Sequence, residues 1–188
     1  MDASDLESAL SELHQALAPH TGGDWTVPAG DLDWTCRDTA VHIAHDLLAY
    51  ATQLAAGADG GYLPLDLTVR PTATNAEILQ VIGAAGTLLA TQLRAAKPDT
   101  RAWHWGPADP SGFAALGVNE ILLHTYDIGR GLRTGWLPPP ALCAAVLARL
   151  FPDHPPTDPV RALLWCTGRV SLPDHPRRTS WTLRAAVD

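Results

Sequence analysis

Four separate stretches of the chain carry apolar residues at the helical period. In residues 5–20 the stripe is Leu6, Ala9, Leu10, Leu13, Ala16 and Leu17, the recurrence expected of one buried helix face. Thr35-Cys36-Arg37-Asp38 has the form of a capping box, with Asp as a shorter stand-in for Glu or Gln. It opens a second stripe through Ala40, Ile43, Ala44, Leu47, Leu48 and Ala51 that stops before Gly57. Thr74-Asn75-Ala76-Glu77 is a second box, followed by Ile78, Val81, Ile82, Leu88, Leu89 and Leu93 to about residue 96, and a fourth stripe covers about residues 113–132. Helices near 20 residues are each roughly 30 Å long at 1.5 Å per residue. No strand–helix alternation is present, so the pattern predicts an all-α four-helix bundle with one or more long crossover connections. Pro138-Pro139-Pro140 and Asp158-Pro159 lead into two shorter helices, and Trp181-Thr182-Leu183 is a candidate terminal strand. A single domain over residues 1–188 is expected, with a bundle core over about 1–135 and a C-terminal extension over about 136–188.

Charge and cysteine usage bound the partners. Thirteen Lys and Arg against twenty Asp and Glu give a formal net charge of −7, which lacks the basic footprint that a phosphate backbone demands. No uninterrupted apolar stretch approaches the roughly 20 residues of a membrane span. The first seven residues are acidic, the reverse of a signal peptide. Three cysteines, Cys36, Cys143 and Cys166, are odd in number and widely spaced, which fits a reducing cytoplasm. Lys97 is the single lysine among many arginines, alanines and prolines, the codon signature of a high-GC bacterial genome. The expectation is a cytoplasmic protein acting on a small-molecule substrate, without nucleic acid or membrane, and with a homodimer left open.

The chemistry-bearing residues sit on two of the stripes. Glu120 and His124 are spaced i, i+4 on the fourth, so both point from one face. They interrupt the apolar run Leu116, Val118, Ile121, Leu122 and Leu123, where a charged group needs a partner or a metal to offset desolvation. His42 stands between Val41 and Ile43 on the second stripe, with Asp38 and Asp46 one turn to either side and His45 nearby. Two inward histidines and a carboxylate from facing helices satisfy a divalent metal site with one open position. Taken singly, such residues are also what a solvated surface pair or a half-buried core histidine looks like.

The segments from Trp34 to Ala44 (WTCRDTAVHIA) and from Asn119 to Ile128 (NEILLHTYDI) resemble the two signatures of the mycothiol-dependent maleylpyruvate isomerase N-terminal domain family, within the DinB-like superfamily of metal-binding four-helix bundles. The segment from Asp158 to Arg169 is similar to one common in these proteins. The resemblance implies His42, Glu120 and His124 as ligands of a divalent metal, Zn²⁺ by default, with mycothiol as a co-substrate. It leaves His45 outside the ligand set. Asp127 matches a recurrent Asp whose implied work is to orient a ligand imidazole or a helix-end Arg. The full isomerases add a C-terminal domain that helps bind the thiol, and residues 136–188 are too few to form it, so a narrower role than maleylpyruvate isomerisation is expected.

A +1 shell of two His and one Glu around Zn²⁺ favours a bound thiolate. The implied chemistry is S-transfer to, or cis–trans isomerisation of, a small electrophile. A metal-water hydrolase or lyase, a non-haem iron oxygenase and a non-catalytic binding module stay open as alternatives. Besides Asp127, the further catalytic candidates are Tyr50, eight residues after His42, and His104 in the loop Trp103-His104-Trp105, which precedes the ligand helix. The simpler reading of that loop is one pinned by buried indoles. Arg130 and Arg133 suit the C-terminal end of a helix dipole, with a substrate carboxylate as the alternative partner. Cys36 lies in the first turn of the His42 helix, and Cys143 and Cys166 read as core.

Overall fold

The computed structural model describes residues 1–187. Its helices are α1 (Ala3–Leu17), α2 (Cys36–Ala56), α3 (Asn75–Ala95), α4 (Pro110–Gly131), α5 (Pro140–Leu150) and α6 (Pro159–Cys166). The two capping boxes read in the sequence are both formed: Thr35 accepts the Asp38 N–H while Asp38 accepts the Thr35 N–H, and Thr74 and Glu77 do the same at α3. Each satisfies two N–H groups that a helix start otherwise leaves unpaired, worth about 1 kcal/mol per cap. α4 starts earlier than its apolar stripe suggests, because Asp109 caps the Gly112 N–H and Pro110 fits the first helical position.

Contacts at the helix ends give the topology. The Met1 amino group reaches Ser111 and Trp136 reaches Glu12, so α1 and α4 run parallel. Arg94 of α3 pairs with Glu7, so α3 runs against α1. Cys36 at the start of α2 touches the Ile128 carbonyl near the end of α4, so these two are antiparallel. The order is up-down-down-up, the arrangement of a DinB-like bundle. The parallel pair α2 and α3 requires the long crossover of residues 57–74. Leu6, Leu13 and Leu17 of α1, Ile43 and Leu47 of α2, Ile78, Ile82 and Leu89 of α3, and Leu116, Ile121 and Leu122 of α4 are fully buried. Gly117 marks the closest approach: a Cβ there would lie 2.9 Å from Leu6 and from Leu89. At the other end of α4, Gly131 has no room for a Cβ against Cys36 Sγ and the Pro28 carbonyl. That contact seats the loop before α2, and with it Trp34, over the end of α4.

α3 has the length and apolarity to cross a membrane by composition alone. Here it packs as a bundle helix with Ile78, Ile82 and Leu89 inside, and core helices commonly share that composition.

Two local expectations are corrected. The stretch around Trp103-His104-Trp105 is not simply a loop: β1 (Ala102–Trp103) and β2 (Pro107–Ala108) form a short antiparallel hairpin. Residues 181–183 form no strand. The tail pairs later instead, where Ala186 bridges Ala108 and the Val187 N–H donates to the Pro107 carbonyl. Arg149 of α5 fixes this return by donating to the Arg184 and Ala185 carbonyls and to Asp109. α5 packs on α4 and α6 on α5, so the C-terminal segment folds back over one face of the bundle.

Candidate metal centre

α2 and α4 bring His42, Glu120 and His124 together. The Glu120 Oε2 atom lies 3.6 Å from His42 Nε2 and 3.2 Å from His124 Nε2, and the three donor atoms fall within 4.8 Å of one another. The imidazole rings meet edge to face at 4.9 Å between centroids. Donors on a tetrahedral Zn²⁺ with bonds near 2.0–2.1 Å are about 3.3–3.4 Å apart, so the spacing suits one shared ion. A second grouping, His42, His45 and Asp46, competes for His42. Its His45 is already engaged, with Nδ1 3.0 Å from Asp46 and Nε2 3.6 Å from the exposed Asp66.

The charge balance also asks for a cation. Asp46, Glu120 and Asp127 surround the two imidazoles, and the guanidinium within the cluster is that of Arg169. Asp127 accepts from His124 Nδ1 at 3.1 Å and from Arg169 at 2.7 Å. With the proton on Nδ1, the His124 Nε2 lone pair faces a carboxylate oxygen, an arrangement that requires either a second proton or a metal between them. Burial opposes charging His124, but its bonds to Asp127 and Glu120 prevail and push it up to about 9. Burial likewise opposes ionising Glu120, and the bonds from His124 and His42 outweigh it and hold the carboxyl far below its usual range. Asp46 moves the other way, raised by burial and by the Glu120 charge.

These shifts set a pH dependence. In the metal-free protein His124 keeps its proton from its ordinary value near 6.5 up to about 9. A metal must displace that proton, so zinc affinity should rise by up to about tenfold per pH unit across this window and level off above it. The stability that the proton confers on the metal-free fold is fully present below about 6.5 and should be lost as pH rises through about 9. Zinc titration calorimetry and denaturant unfolding from pH 6 to 10 check the two signs together.

The donors open onto a cavity of about 850 Å³. Trp34 stacks obliquely on His42 at 4.8 Å. Arg130, Arg169, Arg177 and Arg178 line the cavity from α4 and the tail. Arg130 and Arg177 both grip Asp31, while Arg178 stacks on Trp165 at 4.3 Å. Asn119, nearly fully buried on the same wall, leaves Oδ1 without a partner among the described residues. An unmet buried acceptor costs about 1–3 kcal/mol, which fits a wall shaped for a ligand.

The other sequence candidates separate around this centre. Asp127 touches His124 directly, and its oxygens are taken by His124 and Arg169, an orienting arrangement. Tyr50 and His104 lie in an adjoining smaller cavity, with the Tyr50 hydroxyl 3.4 Å from Asp46. The hairpin reverses the expectation of buried indoles: His104 is buried, Trp103 is half-buried and Trp105 is largely exposed. Arg133 sits past α4 in left-handed backbone, away from the cavity lining. Cys36 is buried and its thiol is pushed up to about 11, Cys143 to about 12, chiefly by desolvation, which disfavours either as a nucleophile.

Sequence reasoning missed Trp34, Asn119, Arg169 and the tail arginines as parts of the site. Trp34 and Asn119 stand inside the two family-like segments already singled out and could have been found there. Arg169 ends the family-like segment from Asp158, but nothing in the sequence pairs it with Asp127, since only the fold-back of the tail brings the two together.

Residues 6–129 match the family model described as the mycothiol maleylpyruvate isomerase N-terminal domain. That segment ends within α4 and includes all three donors. No match is found among curated proteins or among solved structures.

Proposed function

The chain belongs to the mycothiol maleylpyruvate isomerase N-terminal domain family, and from that premise we propose that it is a metal-dependent enzyme that activates a low-molecular-weight thiol of the mycothiol type, for S-transfer to or cis–trans isomerisation of a small electrophilic metabolite. The observation that carries this reading is the cluster of His42, Glu120 and His124, at the spacing of a shared ion and open to a cavity of about 850 Å³. The assigned ligands are these three, with Zn²⁺ the ion that suits two imidazoles and a carboxylate. A divalent ion held by these residues would supply the positive charge that lowers the pKa of a low-molecular-weight thiol.

The chain's own residues do the rest. Asp127, held by Arg169, fixes the His124 imidazole so that Nε2 faces the centre. Trp34 covers His42 and keeps water from one side. Asn119 offers an amide oxygen for a hydroxyl or amide of the incoming thiol, a contact that a sugar-bearing thiol can meet. The buried, high-pKa cysteines are not competing nucleophiles.

The test is turnover of an activated alkene and of an epoxide by zinc-loaded protein, with mycothiol, with bacillithiol and without thiol. Turnover dependent on both zinc and thiol is expected. Equal rates with and without thiol would move the assignment to metal-water chemistry.

A further inference from the structure

Beside the metal centre lies a second cavity of about 330 Å³, separate from the arginine-lined one. Tyr50, Tyr62, His104 and Trp105 give it an aromatic lining. His104 meets Tyr50 and Tyr62 edge to face, at 5.8 and 5.9 Å between centroids. The wall opposite is rigid: Gln53 donates to the Ala58 and Gly61 carbonyls and accepts the Leu63 N–H, tying down the start of the crossover loop. Asp46, Glu120, Trp105 and Leu183 line both cavities, so the two meet at the donor cluster.

Three features define an occupant. The aromatic edges suit a flat π-face, since rings prefer offset or edge-to-face neighbours. No Arg or Lys lines the cavity among the described residues, and Asp46 and Glu120 border it, so a carboxylate is unwelcome. His104 is 7% exposed and its Nδ1 has no partner among the described residues, a buried polar atom left free to pair with an occupant. Trp105 is held at the hairpin tip in left-handed backbone (φ 54°) and stays largely exposed. Left-handed backbone is strained for a bulky residue, and the hairpin holds it in place.

We propose that this second cavity is the electrophile's chamber, which receives an uncharged, planar, mainly apolar group carrying one hydrogen-bonding substituent that pairs with His104 Nδ1. The name electrophile rests on the thiol-activation reading; the binding preference does not. A substrate of this class reaches the metal centre from the aromatic side, while the thiol occupies the larger cavity. A small dicarboxylate is a poor occupant of this chamber.

The experiment uses β-naphthol, naphthalene and β-naphthoate as probes of the full chain, with and without zinc, followed by NMR titration. β-Naphthol should give cross-peaks to Tyr50 and His104, and naphthoate should bind at least about tenfold more weakly because its charge must be desolvated. Ala49→Phe fills the chamber from α2 and should weaken naphthol at least about tenfold while one zinc is retained. His104→Phe keeps the aromatic volume and should erase the preference for naphthol over naphthalene. Equal binding of naphthol and naphthoate, cross-peaks elsewhere, or an unchanged preference in His104→Phe overturns the chamber. Zinc uptake without naphthol binding defeats the chamber alone, whereas naphthol binding without zinc uptake defeats the metal reading alone.

Discussion

Replacing His124 by alanine should abolish stoichiometric zinc binding and leave the helical bundle in place. The substitution leaves His42 and Glu120 as donors, one on each of two helices, and two donors do not make a closed zinc shell. The loss should exceed the ~10–100-fold that removal of an outer hydrogen-bond partner costs. The bundle survives because the buried Leu116, Ile121 and Leu122 of α4 are untouched, and because Asp127 keeps Arg169 as its partner. Elemental analysis after dialysis against trace zinc, with circular dichroism as the control, reads both outcomes. Zinc retained at wild-type level would contradict the assignment of His124.

Asp127→Ala should be the most destabilising change at the site. Arg169 has 8% of its side chain exposed and Asp127 has 2%, so the guanidinium would be left charged and unpaired. Breaking such a buried pair costs about 3–5 kcal/mol, a large part of the ~5–15 kcal/mol that holds a domain folded. Zinc affinity should fall as well, by about 10–100-fold, because the His124 imidazole loses the acceptor that orients it. The double variant Asp127→Ala, Arg169→Met separates these effects. It should recover most of the stability, since no unpaired charge remains, and none of the zinc affinity. Denaturant midpoints and competitive zinc titrations supply the two readouts. Recovery of both properties together would mean that Asp127 serves the fold and not the centre.

The sequence shows the bundle because its devices are local. The stripes of α1 to α4 and the boxes at Thr35 and Thr74 each act within a few residues, and they lie where the structure has them. His42, Glu120 and His124 could be picked out because polar side chains interrupt apolar runs and because the i, i+4 spacing puts two of them on one face. The remainder depends on contacts distant in sequence. Arg169 reaches Asp127 only after α5 and α6 have turned the chain back. The hairpin of β1 and β2 is two residues per strand, too short for a period to register. Burial of His104 in place of the indoles follows from the left-handed turn at Trp105, which no propensity at that position announces. Pairing at Ala186 instead of residues 181–183 is set by the Arg149 clamp.

X-ray absorption of the zinc-loaded protein, recorded before and after addition of mycothiol, tests most directly whether His42, Glu120 and His124 hold an ion with one exchangeable position. Before addition the expected shell contains only nitrogen and oxygen near 2.0–2.1 Å, and afterwards a single sulfur at about 2.3 Å. Sulfur in the shell before any thiol is added, or a nitrogen–oxygen shell unchanged by saturating thiol, would contradict it.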